Sequence, residues 1–417
     1  MRTYLPIAGA LALALIALPA SAAGAAPSGG LDETLLDKEL QELYSVADHS
    51  ITAEVRLGDE TWAEAIGPRK VNGSGGGVDE DDRVRIASLT KSMVSAVLLQ
   101  LQSEGEVDLD DTIGDHLPGL LPYENEPTIR QVMQHTGGLR DYFVYLYPSL
   151  LENDMSDVYE GYRNDYAPEE LVAMSTADPL LFEPGTGYSY SNTGYMALGV
   201  LVEHLTGDEL HEVLDERVFE PADLDDTYLP KDGSSGIRGA NPVPYMTTGE
   251  ADHPYFDTTR LSNDQLWAAG AVVSTMEDVN DFYDALLDGT LLTGAELAEM
   301  TDFHDAGEDG LYGLGLAGLP LRCTDGPAET FVGHTGGGLG HMTYSFHSLD
   351  GDKQATFTWN IDDRHGAADP EALTWALVSL LAAGLCGIDL GAMPADAEER
   401  AEAMTAAVSF AEPTLLG

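Results

Sequence analysis

Residues 84–102 read Val-Arg-Ile-Ala-Ser-Leu-Thr-Lys-Ser-Met-Val-Ser-Ala-Val-Leu-Leu-Gln-Leu-Gln. A short β-like run at Val84 and Ile86 stops at Ser88. From there Leu89, Met93, Val97 and Leu101 recur every fourth residue, with Val94 and Leu98 beside them, which is the spacing of a buried helix. Ser88 then falls in the first helical turn. Lys91, three residues on, stands on the same face one turn above. That arrangement is a nucleophile with a base beside it. The helix N-terminus, with its free N–H groups and positive dipole end, favours negative charge developing near Ser88. A capping serine followed by a solvated lysine would give the same letters. Against that reading, the chain has only five lysines, at 38, 70, 91, 231 and 353, and only Lys91 has a serine three positions before it.

Working outward, residues 31–47 show helical spacing with Leu35, Leu36, Leu40 and Leu43 on one face. Residues 50–57 and 61–66 read as two strands joined at Gly58-Asp59. Residues 72–82 are Gly-rich and acidic, hence a loop. Beyond the opening helix, short helical patterns alternate with Pro- and Gly-rich loops. Residues 128–135, 168–175 and 193–206 are helices, the first stopped by Gly137-Gly138 and the last by Gly207. Ala271-Val272-Val273 is a strand leading into a helix over 278–287. Residues 312–317, 329–334, 341–348 and 354–360 are successive strands, and 369–384 is an apolar helix. No internal repeat is visible. The expected organisation is an α/β domain made of 27–110 and 265–388, a mainly helical insertion over 111–264, and a loosely packed or disordered tail over 389–417.

Residues 1–26 have the form of a secretory leader. Arg2 supplies charge, 4–18 are largely apolar, and Ala20-Ser21-Ala22 offers a cleavage site. A secreted, extracellular protein is therefore expected. Cys323 and Cys386 are the only cysteines. In an exported protein they are expected to pair, the alternative being two buried thiols. The 417 residues carry 72 acidic and 19 basic groups, a formal net charge of −53. That balance disfavours nucleic acid and anionic membrane as partners. The acids are spread along the chain, which predicts adaptation to salty surroundings.

Other motifs compete for attention. Tyr-x-Asn occurs at Tyr123-Glu124-Asn125, Tyr162-Arg163-Asn164 and Tyr190-Ser191-Asn192. Only the last lies in a turn-rich loop before a helix, where a phenol and an amide can be held in a cleft. Tyr123 and Tyr162 are expected at the surface. His-Thr-Gly occurs twice. His135 ends a helix before a glycine cap and reads as structural. His334 ends a strand and enters Gly336-Gly337-Gly338, where backbone can approach a ligand closely. Gly313 to Gly318 fits G-x-G-x-x-G, but Pro320 follows and no helix opens, so no dinucleotide site is implied. No metal cluster and no cofactor motif stands out.

With Ser88-Leu89-Thr90-Lys91, Tyr190-Ser191-Asn192 and His334-Thr335-Gly336 in order, the chain resembles the serine β-lactamase/penicillin-binding superfamily. Within it, the chain is most similar to the secreted Streptomyces-type D-alanyl-D-alanine carboxypeptidases grouped with class C β-lactamases (peptidase family S12). The likeness runs from about 45 to 388. It includes Thr128 to Leu139, Ala269 to Thr275, Tyr312 to Gly315 and the placement of the two cysteines. The resemblance implies an α+β fold, an antiparallel sheet flanked by helices with a helical domain as the other wall of the cleft. It implies that Ser88 is acylated, that Lys91 and Tyr190 share proton transfer with lowered pKa values, and that Asn192 donates its amide to the acyl group. It also implies an oxyanion hole from the backbone N–H groups of Ser88 and Gly337, substrate contacts from Thr335 and Trp267, and a pH-dependent positive charge from His334 where most relatives carry lysine.

The implied function is a monomeric D-Ala-D-Ala carboxypeptidase that β-lactams acylate. The alternatives are an esterase, D-amino-acid amidase or β-lactamase on the same scaffold, or a non-catalytic penicillin-recognising module. Two departures concern the leaving group. Ala317-Gly318-Leu319-Pro320 stands where relatives carry basic residues, the nearest arginine being Arg322. Gly337 stands where they carry threonine. Both changes weaken recognition of a terminal carboxylate.

Overall fold

A computed structural model describes residues 30–47, 49–307, 310–323, 327–363 and 369–392. The expected leader at 1–26 lies outside the described residues, as does the tail from 393 onward. In chain order the strands are β1 (Ile51–Leu57), β2 (Glu60–Ile66), β3 (Val84–Arg85), β4 (Tyr245–Thr247), β5 (Tyr255–Asp257), β6 (Val273–Ser274), β7 (His304–Asp305), β8 (Leu311–Tyr312), β9 (Ala317–Leu321), β10 (Glu329–Gly338), β11 (His341–His347), β12 (Lys353–Trp359) and β13 (Ile361–Asp362). The longer helices are α1 (Glu33–Ala47), α2 (Thr90–Glu104), α3 (Asn192–Thr206), α4 (Met276–Leu287) and α5 (Pro370–Cys386).

Eight strands form one antiparallel sheet in the order β2-β1-β12-β11-β10-β9-β8-β7. Strand alternation gives this sheet two different faces. Ile51, Ala53, Val55, Tyr344, Phe346, Ala355 and Phe357 point to one side and pack under α1 and α5, where the leucine face of α1 meets Ala376, Leu377 and Leu380. The intervening residues Thr52, Glu54, Thr343, Ser345, Gln354, Thr356 and Thr358 are also buried, but polar. They are tolerated because they bond one another and α4. Ser345 meets Thr356 at 2.7 Å, Thr356 meets Asn280 at 2.6 Å, and Asn280 meets Glu54 at 3.0 Å. The second core joins α2, α3, α4 and the short helices between them, including Ile129–Met133 and Pro168–Thr176.

Helix α2 is buried on nearly every side, from Thr90 to Leu99. That is why its sequence carries apolar residues beyond a single stripe. It starts two residues later than Ser88. Ala87–Leu89 form a tight 3-10 turn, and no side chain caps either segment, so Ser88 is not a capping serine. The turn lies against β10 for a topological reason. β9 pairs with β10 only from Glu329 to Gly333, leaving the edge of β10 open to other neighbours from His334 onward.

Three element expectations need correction. Residues 312–317, expected as one strand, are the end of β8, a connection and the first residue of β9. The strand expected to end at His334 continues through Gly338. Its glycines are there for proximity, since a Cβ on Gly336 would overlap the carbonyl oxygen of Ile86 and one on Gly338 would press on Ala87. The strand expected at 271–273 is shorter and later, because Trp267–Gly270 forms a helical turn before it. Gly313 to Gly318 spans the β8–β9 connection, where the carbonyl of Gly315 accepts from Ser92 Oγ of α2 at 2.7 Å. Cys323 and Cys386 form a disulfide that ties the chain beyond β9 to the end of α5.

Candidate active site

Ser88 and Lys91 meet as the spacing predicts. Lys91 Nζ lies 3.0 Å from Ser88 Oγ, 2.8 Å from Asn192 Oδ1 and 2.7 Å from the carbonyl oxygen of Ala269. Lys91 is fully buried, and loss of hydration lowers its pKa from 10.5 to about 7, with Asp141 acting in the opposite direction. A substantial share of Lys91 is therefore free amine at neutral pH. Its partners fix where the lone pair goes. Asn192 Oδ1 and the Ala269 carbonyl can only accept, so they take the two N–H groups of the neutral amine. The remaining position faces the Ser88 hydroxyl, which is the alignment a general base needs.

Asn192 owes its orientation to Asp141, a residue that no sequence motif singles out. Asp141 Oδ2 accepts from both the backbone N–H and the side-chain Nδ2 of Asn192, at 2.8 and 2.7 Å. Its other oxygen accepts from the Phe143 N–H at 2.7 Å. A carboxylate that only accepts forces the amide nitrogen of Asn192 toward itself and the amide oxygen toward Lys91. Asp141 is buried, and desolvation raises its pKa while these donors oppose the rise. One N–H of the Asn192 amide is thus committed to Asp141 rather than to an acyl group.

Tyr190 flanks the same lysine, with Lys91 Nζ 4.9 Å from its ring centroid. Tyr190 is half-buried and lies 4.1 Å, centroid to centroid, from the ring of His135. His135 is therefore more than a helix terminator. Its Nδ1 accepts from the Ser191 N–H at 3.2 Å, tying the Tyr190-Ser191-Asn192 loop to the 129–133 helix. Burial first, then the Lys91 charge, hold its pKa well below the usual 6.5.

His334 sits across the cleft on β10. Its Nδ1 faces the carbonyl oxygen of Thr335 at 2.5 Å and must carry the proton; its Nε2 then accepts from the Tyr312 hydroxyl at 2.9 Å. Burial, and secondarily Lys91, lower its pKa to about 3. His334 is therefore neutral across the physiological range, which corrects the expectation of a pH-dependent positive charge. Thr335, next along the strand, is half-buried, and Gly337 is buried two residues further on.

The sequence profile of the Beta-lactamase family matches residues 50–379, which span all of these groups. The chain belongs to the Beta-lactamase family, within the wider superfamily of serine hydrolases that share this fold. It is 28% identical over 279 residues to a D-aminopeptidase of Brucella anthropi, covering 65% of this chain and 48% of that protein. It is 25% identical over 295 residues to Penicillin-binding protein 4* of Bacillus subtilis, covering 67% and 60%. The chain thus spans about half to three-fifths of the length of these curated relatives. Among solved structures, it resembles a D-stereospecific amidohydrolase from Streptomyces sp. with TM-score 0.73 and 29% identity, covering 85% of this chain and 99% of that one.

In this Beta-lactamase family member, four of the six non-glycine positive-φ residues among the described residues lie on segments that build the site. Ala87, His135, Trp267 and Leu339 all have positive φ without being glycine, at 51, 60, 28 and 49°. Such conformations persist where surrounding packing over-determines them, and they cluster at functional sites. Trp267, expected to line the cleft, is 4% exposed with the outer edge of its ring against Gly199 of α3. Its turn instead brings the Ala269 carbonyl to Lys91. Tyr162, expected at the surface, is buried against Phe256 at 5.0 Å between ring centroids. Tyr123 is half-buried and donates to the Asp178 carbonyl at 3.2 Å. Arg322 follows the end of β9 beside the disulfide, while the cleft end of that strand is Ala317, paired with Gly333. At about 3.4 Å per residue, Arg322 is on the order of 17 Å further along. Among the described residues no group of three or more His, Cys, Asp or Glu is arranged to hold a metal ion.

Proposed function

We propose that the protein hydrolyses small amides and esters of D-amino acids through an acyl-enzyme on Ser88, with an uncharged leaving group. The observation that carries this reading is the buried Ser88–Lys91 pair facing an electrically neutral His334. In the first step the amine of Lys91 takes the Ser88 proton as Oγ bonds to the substrate carbonyl carbon. The carbonyl π pair moves to oxygen, where the N–H groups of Ser88 and Gly337 donate, a contribution of a few kcal/mol (~3) in comparable sites. The proton passes from Lys91, through the Tyr190 hydroxyl, to the leaving nitrogen or oxygen as its bond to carbon breaks. Water then attacks the acyl carbon and gives its proton to the same pair, which passes it to Ser88 Oγ as the C–Oγ bond breaks and the acid is released. In this reading Thr335, half-buried on β10, contacts the substrate.

The likeness to a D-aminopeptidase and to a D-stereospecific amidohydrolase supports D-configured substrates. Export is part of the proposal, because the Cys323–Cys386 disulfide suits an oxidising compartment. A second reading, D-Ala-D-Ala carboxypeptidase, has the likeness to Penicillin-binding protein 4* in its favour. It requires a cation for the terminal carboxylate, and neither neutral His334 nor Ala317-Gly318-Leu319-Pro320 supplies one.

The test compares kcat/KM for D-alanine amide and its methyl ester with release of D-Ala from a diacyl-D-Ala-D-Ala peptide. The amide or ester should be favoured at least ~10-fold, about 1.4 kcal/mol. A preference of that size for the peptide would establish the carboxypeptidase instead. Intact mass after mixing with benzylpenicillin should show an adduct that Ser88→Ala abolishes. Failure of native protein both to acylate and to turn over any of these substrates would leave a binding module.

A further inference from the structure

The strand that leads into the Ser88 turn carries a cation with no counter-charge. Arg85 is wholly buried. Its Nε donates to Asn263 Oδ1 at 3.0 Å, and Nη2 reaches the carbonyls of Thr259 and Leu261 only at 3.5 and 3.4 Å. Nη1 is buried without a hydrogen-bond partner. Among the described residues no carboxylate lies within ion-pair distance of it, in a chain with 72 acidic groups. Arg56, Arg69, Arg83, Arg130 and Arg217 each have at least one. Burial lowers the pKa of Arg85 only to about 10, so it remains a cation at neutral pH. The residue whose carbonyl meets this guanidinium carries a second unpartnered group. Thr259, whose carbonyl faces Nη2, has its hydroxyl oxygen buried and also without a partner.

A buried water would satisfy the hydrogen bonds of these groups but not the charge. A multi-oxygen anion needs more donors than one guanidinium edge and one hydroxyl supply. We propose that Arg85 Nη1 and the Thr259 hydroxyl hold a buried monovalent anion, chloride by size and abundance, behind the nucleophile's turn. The site is joined to the sheet as well, because the Arg85 N–H donates to His341 Nδ1 at 3.3 Å, and His341 begins β11 beside β10. An anion bound there locks Val84–Ser88 against both.

Two measurements test it. Crystals of the native protein in sodium bromide should show an anomalous peak at Arg85 Nη1. Separately, the thermal midpoint is followed as chloride replaces gluconate at fixed ionic strength. It should climb by roughly 2–4 °C and then saturate, as specific binding requires. Arg85→Met should lose the chloride response. Thr259→Val, which keeps the guanidinium, should need about 10-fold more chloride for half the effect, the loss of one hydrogen bond to an ion. Density without anomalous signal at Nη1, or equal midpoints in the two anions, assigns the position to water and overturns the proposal even if Arg85→Met fails to fold.

Discussion

At the scale of single residues, the free amine of Lys91 should set the pH dependence of acylation. Below about 7 Lys91 is protonated and cannot take the Ser88 proton; above it the lone pair is available. The rate should therefore rise tenfold per pH unit up to a bend near 7 and then level. His334, with its pKa near 3, should add no second bend in that range. Asp141→Asn tests the chain of orientation behind this. Removing the carboxylate takes away a charge that raises the Lys91 pKa, so the bend should move to lower pH. It also lets the Asn192 amide turn its NH2 toward Lys91, misdirecting the lone pair, so the plateau should fall about 10–100-fold. A lower plateau with an unmoved bend would make Asp141 merely structural. Ser88 and Lys91 could be read from the sequence because three-residue spacing alone puts them on one face. Asp141 and His135 could not, since each acts through a loop more than fifty positions away and no local pattern marks that pairing.

At the scale of elements, the site is an encounter between a 3-10 turn and a strand edge. The alternating β-runs and the leucine face of α1 were legible, because each is a local periodicity tied to one buried surface. The end of β10 was not. Glycine at 336–338 reads as a turn by composition, yet here it is the absence of a side chain that lets β10 lie on residues 86–89. Gly336→Ala should therefore push the strand away from Ile86. The expected cost is about 1–3 kcal/mol of stability from overpacking, with a fall of roughly 100-fold in kcat from a displacement on the order of 1 Å. Gly294→Ala, where a Cβ meets nothing within 4 Å, is the control and should leave both unchanged. Equal activities for the two variants, measured alongside urea unfolding, would mean that this approach does not position Ser88.

For the whole molecule, the dominant fact is a formal net charge of −53. The structure shows where it presses. Around Arg56, which pairs with Glu54 at 2.6 Å and Asp281 at 2.6 Å, the carboxyls of Glu277 and Asp284 are held above their ordinary range. Burial is the larger cause and neighbouring carboxylates add to it. One arginine cannot neutralise so many acids, and the remainder repel across the surface. Salt shortens the reach of that repulsion from about 10 Å at 0.1 M to about 3 Å at 1 M. The thermal midpoint should therefore rise by roughly 5 °C or more between low and molar salt. Screening does not depend on the anion's identity, whereas occupancy beside Arg85 does. The series belongs first in sodium gluconate, where only screening acts, and then in chloride at matched ionic strength. A flat or falling midpoint in gluconate would remove the reading of this surface as adapted to salt, and would leave any gain seen in chloride to the buried cation alone.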